Sequence, residues 1–498
     1  MLLTADIEAR LRKFDTATSV EVRENGVRVA TIDRTIDTFS WELRGTATKP
    51  VLSVHSDQFN ITHRIVAIFD ESEGHVALSF ERFGKSRPGR IEFRRIDFTR
   101  PAREITREEF RQRLARILGE RFPDEMLESS LVTGADLEHS LSGNYARGVL
   151  RGRSGRWALL AVPDSELPAT SANSLTFGLL WLAHVREMSR EGYVVGLKLI
   201  VAKGTGKKLV HLAKALSGSI ALEIYEFEAR NESLIRVDPN SIANRDNWLV
   251  TCPARQALLE GAAAEINSIV AIAPQAITLH PDPQNSEIIL RFRGLAFARW
   301  ENHTVYFGPS GDLRRKLTPS TQAELQHVLH DLEVYRDPRA TNTRHPLYRA
   351  QPERWLEAIV RSNVDRIDAR LDPRFVYTQL FANSATERSI LDILTVTTSG
   401  RLAIIELKAS EHIHLPLQAA EYWLRISRHL ELGDFQNSCY FPHVELQKAP
   451  PLVFLVAPAL RFHSTTGPLL RHLSSSMEVA QVGLAESWRR GLRVVMRR

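Results

Sequence analysis

The sequence predicts a mixed α/β protein of several domains. Its 498 residues are too many for one ordinary hydrophobic core. In the last third of the chain, helical patterns alternate with apolar runs of strand length, an order that is typical of α/β domains. A similar order recurs between residues 105 and 230. We therefore expect domains at residues 1–104, 105–245, 246–345 and 346–498.

The composition is that of a globular protein with a mild excess of positive charge. Hydrophobic residues make up 43% of the chain and charged residues 25%, and the formal net charge is +6. This charge is compatible with a polyanionic partner. No apolar run reaches the ~18 residues that span a membrane, and Cys252 and Cys439 are too few for a disulfide framework. We expect a cytoplasmic protein without a membrane partner.

Two stretches outside the α/β domains have patterns of their own. Residues 15–100 alternate apolar and polar side chains, which predicts a β-rich module. Residues 254–268 predict an Ala-rich helix, 287–307 a hairpin and 321–334 a second helix. The segment 337–346, with its two prolines, predicts a linker into the last domain.

The elements of the C-terminal domain follow from apolar spacing and turn residues. Residues 353–360 have helical spacing, and a second helix should begin near Pro416, since proline is favoured in the first helical turn. Residues 390–396 and 401–407 are apolar, β-branched runs of strand length, and 451–456 is a third. The expected order is helix, strand, strand, helix, strand.

The two strands on either side of Gly400 form the most informative unit. A three-residue loop that ends in glycine suits a type I turn followed by a left-handed residue. This register sets Asp392 opposite Glu406, and cross-strand partners share a face. Lys408 lies two residues beyond Glu406 and points to the same side. One face of an otherwise apolar hairpin therefore offers two carboxylates and an ammonium group.

Charges on such a hairpin need a reason, because isolated charges are costly to desolvate. Mg²⁺ takes oxygen ligands, keeps several waters and needs only one or two carboxylates. Such an ion polarises a phosphate and lowers the pKa of a bound water, which a lysine can orient. The alternative is a buried ion pair between Glu406 and Lys408 that only holds the strand register.

Two polar residues on the following helix complete a recognisable pattern. Gln418 and Tyr422 are four apart and share one helix face. The Asp-x13-Glu-x-Lys hairpin followed by Gln-x3-Tyr resembles the PD-(D/E)XK nuclease superfamily, particularly its RecB-like branch, and the helix at 353–360 resembles that of NucS-type endonucleases. The resemblance covers roughly residues 350–485. The sequence departs from the family pattern at Leu391, where the PD-(D/E)XK motif has proline.

The resemblance implies a restriction-endonuclease-like αβββαβ core with a metal site in its hairpin. Asp392 and Glu406 would bind Mg²⁺ or Mn²⁺, and the Leu407 carbonyl would complete the site. Lys408 would position the attacking water.

The resemblance also implies roles for residues on the two helices. Glu357 would be the acid of the first helix, with Glu353 as its rival, and the sequence leaves that choice open. Gln418 and Tyr422 would contact the lysine, the metal waters or the nucleic-acid backbone.

The segment after Gly155 repeats the pattern that follows Gly400. Each begins Gly-Arg and continues as an apolar strand, and each is followed by a helical segment, a buried strand and a Thr-Gly pair. We infer a second copy of the fold at residues ~105–230. Without carboxylates it would hold no metal, so we expect it to be inactive. The expected replacements are Arg147 for Asp392, Ala161 for Glu406 and Pro163 for Lys408.

These features predict a metal-dependent nuclease that hydrolyses DNA, with DNA favoured over RNA only through the resemblance. The alternatives are a nucleic-acid-binding or scaffold protein on a nuclease fold, and an RNA-processing nuclease. The expected partners are single- or double-stranded DNA, a second copy of the chain in a homodimer, and a helicase or a repair or defence protein. His412 and His414 follow the second strand, and we expect a plain surface role for them, with phosphate binding near the metal site as the alternative.

Overall fold

The chain forms two compact units in this computed structural model. The first comprises residues 1–100, 250–362 and 487–492, and the second comprises 101–249, 363–486 and 493–498. Within the described residues, no helix is both long and apolar enough to cross a membrane. The structure describes all residues except 1–3, 25–26, 34–38, 47–48, 57–59, 73, 82–87, 97–99, 164–172, 190–192, 229–230, 241–248, 309–313, 379 and 381–390.

Helices and strands are numbered here in chain order. The helices are α1 (Thr4–Leu11), α2 (Arg100–Arg121), α3 (Ser174–Met188), α4 (Gly206–Ala213), α5 (Cys252–Val270), α6 (Gln322–Tyr335), α7 (Pro346–Arg349), α8 (Pro352–Arg361), α9 (Val364–Ile367), α10 (Leu415–Glu431), α11 (Asp434–Asn437) and α12 (Thr466–Leu470). The strands are β1 (Ser19–Glu24), β2 (Val27–Asp33), β3 (Phe39–Thr46), β4 (Lys49–Ser56), β5 (Asn60–Ser72), β6 (His75–Phe80), β7 (Gly89–Arg95), β8 (Glu125–Leu127), β9 (Ala146–Gly152), β10 (Gly155–Ala161), β11 (Val194–Ala202), β12 (Ala221–Glu228), β13 (Ser233–Arg236), β14 (Ile277–Asp282), β15 (Glu287–Phe292), β16 (Leu295–Glu301), β17 (Thr304–Phe307), β18 (Arg315–Lys316), β19 (Leu371–Tyr377), β20 (Ile393–Thr397), β21 (Leu402–Leu407), β22 (Leu452–Pro458), β23 (Val479–Leu484) and β24 (Val494–Arg497).

The first unit contains two antiparallel sheets. The N-terminal sheet has the order β2-β1-β7-β6-β5-β4-β3, and α1 buries Ile7 and Leu11 in its core. The second sheet runs β14 to β18 in chain order, and α5 and α6 contribute apolar side chains to its core. The predicted hairpin at 287–307 is a three-stranded meander, because Arg293 and Gly294 form an additional tight turn with positive φ.

A buried arginine ties α8 to this second sheet. Arg336 follows α6 and is fully buried. Its guanidinium donates to the carbonyls of Leu347, Ala350 and Arg293 at 2.7–3.1 Å, and it lies 4.5 Å from the ring centre of Trp355 in α8. The hydrogen bonds satisfy backbone carbonyls on both sides of segment 337–346, and the ring contact connects this cluster to α8. Helix α8 belongs to the first unit.

The second unit contains two six-stranded mixed sheets with the same topology. One has the order β8-β9-β10-β11-β12-β13 and the other β19-β20-β21-β22-β23-β24. In both sheets the third, fourth and fifth strands are parallel, and the other neighbours are antiparallel. Parallel neighbours require crossovers. These contain α3 and α4 in the first sheet and α10 and α12 in the second.

The β20–β21 hairpin has the predicted register. Ile393 pairs with Ile405, and Thr397 N donates to Arg401 O at 2.8 Å, so the ladder continues to place Asp392 opposite Glu406. Gly400 has φ +89°, and a Cβ there would lie 2.1 Å from the Glu445 carbonyl oxygen. The loop therefore needs glycine, as the sequence predicts. Both strands are fully buried, which accounts for their continuous apolar runs.

The corresponding hairpin of the first sheet corrects one expected equivalence. Its loop has two residues between Gly152 and Gly155, whereas the second hairpin has three. The shorter loop shifts β9 by one position, so Ala146 lies opposite Ala161. Ala146, and not Arg147, therefore occupies the position of Asp392. Gap-free alignment of the two sequences misses this shift.

Candidate active site

The two carboxylates and the lysine of the C-terminal hairpin meet at the end of β21. Asp392 lies one residue before β20, and its Oδ2 accepts a hydrogen bond from Leu407 N at 2.9 Å. Glu406 is the penultimate residue of β21, and its Oε1 lies 3.7 Å from Lys408 Nζ. The turn register that aligns the two strands thus brings the three charged groups together.

Glu406 and Lys408 are withdrawn from solvent, and Asp392 is half-buried. Glu406 is 2% exposed and Lys408 is 9% exposed. The separation of 3.7 Å is within ion-pair range but longer than a hydrogen bond. Two carboxylates and one ammonium carry a formal charge of −1, which a bound divalent cation would offset.

The first sheet shows what this hairpin is like without the charges. Ala146 and Ala161 occupy the two carboxylate positions and pack into the apolar core beneath α2, and Pro163 stands at the lysine position. The same strand order therefore forms with alanine in place of both acids. An ion pair between Glu406 and Lys408 is not a general requirement of this topology.

Arg147 serves a structural purpose on the opposite face of the first sheet. It pairs with Leu160, one step along the ladder from Ala146, so its side chain points away from that core. It is buried, donates to the carbonyls of Gly134 and Ser142, and lies 5.8 Å from the ring centre of Trp181 in α3. These contacts hold the loop before β9.

Helix α10 brings two further predicted residues toward the hairpin. Tyr422 is buried, and burial raises the pKa of its hydroxyl, with the negative charges of Glu406 and Asp392 raising it further. The phenol is therefore protonated and lies within the field of both carboxylates. Gln418 shares this helix face, and among the described residues its buried Oε1 accepts no hydrogen bond.

Glu357 and Glu353 both lie on α8, in the first unit. Glu357 is buried, and its Oε2 accepts from Arg354 Nη1 at 2.5 Å. Its negative charge also acts on Arg361, whose pKa is lowered by burial. Glu353 is in the first turn of the helix. The choice between them as the acid of this helix remains a prediction from the sequence.

His414 is buried and His412 is half-buried, contrary to the expectation from their loop position. His414 is 7% exposed, because its Nδ1 lies 2.9 Å from Thr176 Oγ1 and its ring packs edge-on against Phe177. Burial lowers the pKa of His412, and the charge of Lys408 lowers it further. No local sequence pattern indicates this burial, because the covering residues belong to α3, more than 230 positions earlier.

The donor set suits a hard divalent cation. Within the residues that the structure describes, no group of three or more His, Cys, Asp or Glu side chains is placed to hold a metal ion. Mg²⁺ needs only one or two carboxylates, since it keeps several waters. Asp392 and Glu406 meet that requirement with oxygen ligands alone. Compared with family models and with curated proteins, the chain matches none.

Proposed function

We propose that the chain is a metal-dependent nuclease that hydrolyses DNA phosphodiester bonds at Asp392, Glu406 and Lys408. The contrast between the two equivalent hairpins is the main support. One folds with alanine at both acid positions, and the other keeps a buried glutamate and lysine beside the half-buried Asp392. Buried charges that the topology does not require are typical of a functional site.

Each residue would have a distinct role in this site. Asp392, Glu406 and the Leu407 carbonyl would hold Mg²⁺ or Mn²⁺, and the bound ion would polarise the phosphate and acidify a water. The Leu407 N–H orients the Asp392 carboxylate. Lys408 would orient the attacking water and stabilise negative charge on the phosphate.

The residues of α10 would assist from beside the hairpin. The Tyr422 hydroxyl, kept protonated by burial and by the carboxylates, would donate a hydrogen bond. The Gln418 amide would contact the lysine, a metal-bound water or the nucleic-acid backbone.

A binding or scaffold protein is the second candidate. The first sheet, with Ala146 and Ala161 at the acid positions, supports it, since this chain keeps one copy of the topology without the acids. Under that proposal the C-terminal hairpin binds nucleic acid, and cleavage is marginal. An RNA substrate is a third proposal for the same site.

One assay separates these proposals. Single-stranded, duplex and branched DNA and RNA of matched sequence are incubated with the protein and Mg²⁺, Mn²⁺ or EDTA. We expect metal-dependent DNA cleavage that Asp392→Asn and Lys408→Ala each reduce by roughly 100-fold or more. The matched controls Asp365→Asn and Lys448→Ala alter exposed residues and should cleave normally.

The outcomes are distinct for each proposal. Cleavage that persists in both site variants would remove the assigned site. Binding without cleavage under every metal would favour the scaffold proposal, and cleavage of RNA alone would favour the RNA nuclease. Mn²⁺ binding measured by calorimetry, weakened in Asp392→Asn and unchanged in Asp365→Asn, would test the metal site without relying on activity.

A further inference from the structure

The two six-stranded sheets of the second unit are joined by a self-matching contact. An antiparallel bridge pairs Leu216 with Leu473, and these residues precede equivalent strands, β12 and β23. Two backbone hydrogen bonds flank this bridge. Equivalent residues of the two copies lie 257 positions apart here, so exchanging the copies converts one of these bonds into the other. They run from Ser217 N to His472 O and from Ser474 N to Ala215 O, each 2.8 Å long.

The turns at this contact are also equivalent. The hydroxyls of Ser217 and Ser219 lie 2.9 Å apart, and those of Ser474 and Ser476 lie 2.8 Å apart. In each turn the last serine N–H donates to the first serine hydroxyl, at 3.4 and 3.3 Å. The same local structure therefore meets its own counterpart.

The helices repeat this exchange. Helix α3 of the first copy packs on α12 of the second, and α10 of the second packs on α4 of the first. Helices α3 and α10 occupy the first crossover of their sheets, and α4 and α12 occupy the second. When each of these contacts recurs with the two copies exchanged, the interface is isologous, which is the arrangement of a two-fold dimer. Here it lies within one chain.

The chemistry does not follow this pseudo-two-fold symmetry. One member of the pair has Asp392 and Glu406, and the other has Ala146 and Ala161 at the same ladder positions. The second unit is therefore arranged like a symmetric pair of nuclease domains, with acids at one site alone.

We propose that the chain is a self-contained pseudo-dimer that cuts one strand of duplex DNA at each encounter and so leaves a nick. This inference rests on the proposed nuclease function. The two strands of a duplex are related by two-fold axes, which a two-fold pair of domains can match. With acids at one site only, one strand meets catalytic groups and the other meets alanines.

Supercoiled plasmid provides the test. The full chain is incubated with plasmid and Mg²⁺ or Mn²⁺ at less than one chain per plasmid, beside single-stranded circular DNA. We expect open circles to accumulate first, and linear plasmid to appear only after a lag as independent nicks come to face each other. Asp392→Asn should abolish both products.

Mixing wild-type and variant protein tests whether a single chain acts alone. Wild type is diluted with Asp392→Asn at constant total protein, and the initial rate of nicking should fall in proportion to the wild-type fraction. A fall with the square of that fraction would mean that two chains supply two active sites, which would overturn the inference.

The remaining outcomes separate this inference from the function on which it rests. Linear plasmid that forms without an open-circle stage, or cleavage of single-stranded circles alone, would overturn the single-nick inference and leave the nuclease proposal standing. A lack of cleavage of every DNA with either metal would overturn both.

Discussion

Replacing Gly400 by alanine should destabilise the β20–β21 hairpin by a predictable amount. The residue has φ +89°, where an L-residue costs roughly 1–2 kcal/mol. The new Cβ would also lie 2.1 Å from the Glu445 carbonyl oxygen, so segment 445–447 must move. That movement would break the 2.9 Å hydrogen bond from Gln447 N to Gly400 O, which is worth about 1 kcal/mol. We expect a total loss of about 2–3 kcal/mol.

Gly433 provides the matched control. It has φ +72° after α10, but a Cβ there would meet nothing within 4 Å. Gly433→Ala should therefore show only the backbone cost of roughly 1–2 kcal/mol. The comparison separates the effect of the close contact from that of the left-handed backbone.

Hydrogen exchange measures the effect locally, which matters in a chain of several domains. A loss of about 2–3 kcal/mol should speed amide exchange in β20 and β21 by roughly 30- to 150-fold. Nucleic-acid cleavage should fall in Gly400→Ala and remain normal in Gly433→Ala. The steric reasoning is wrong if amide exchange in β20 and β21 is unchanged in Gly400→Ala. It is also wrong if the local stability lost in Gly400→Ala is no larger than that lost around α10 in Gly433→Ala.

Three further predictions concern the site and the contact between the copies. Tyr422→Phe should lower the rate of cleavage roughly 10- to 150-fold, the value of one hydrogen bond to charged groups, without altering thermal stability; a rate within twofold of wild type would contradict it. Burial lowers the pKa of His414 to about 4, whereas unfolded histidine titrates near ~6.5. Between these pH values the unfolded chain binds a proton that the folded chain does not. The contribution of His414 should therefore lower the stability by up to about 3 kcal/mol as the pH drops from 6.5 to 4. His414→Asn should reduce this dependence of the melting temperature without removing it, because burial also lowers the pKa of His472. The exposed control His443→Asn should leave the dependence unchanged, and equal slopes in the two variants would refute the assignment. Ser217→Pro and Ser474→Pro each remove one of the two reciprocal N–H donors, so each should destabilise the second unit by a similar amount, about 1–3 kcal/mol. Clearly unequal losses in denaturant titrations would argue against the pseudo-two-fold contact.

Much of the C-terminal hairpin was predictable because its determinants are local. A three-residue loop ending in Gly400 restricts the turn, and the turn determines which residues face each other across the strands. Pro416 similarly lies in the first turn of α10, as expected. Asp392, Glu406 and Lys408 could be placed on one face from these signals without knowledge of the rest of the chain.

Features that depend on distant segments were not predictable. A one-residue difference in loop length put Ala146 rather than Arg147 opposite Ala161, because every pairing in a ladder moves with its turn. His414 is buried by Thr176 and Phe177, which no pattern around residue 414 indicates.

The sequence by itself determined the strands, the turn register and the charged face of the hairpin, since these depend on side chains within a few residues of one another. It also indicated the internal repeat, because two parts of the chain have a similar order of apolar segments. Only the tertiary structure decided that α8 belongs to the first unit and that the two six-stranded sheets meet through reciprocal bonds at Leu216 and Leu473. These contacts join residues far apart in the chain, and their energy comes from surfaces that exist only after folding.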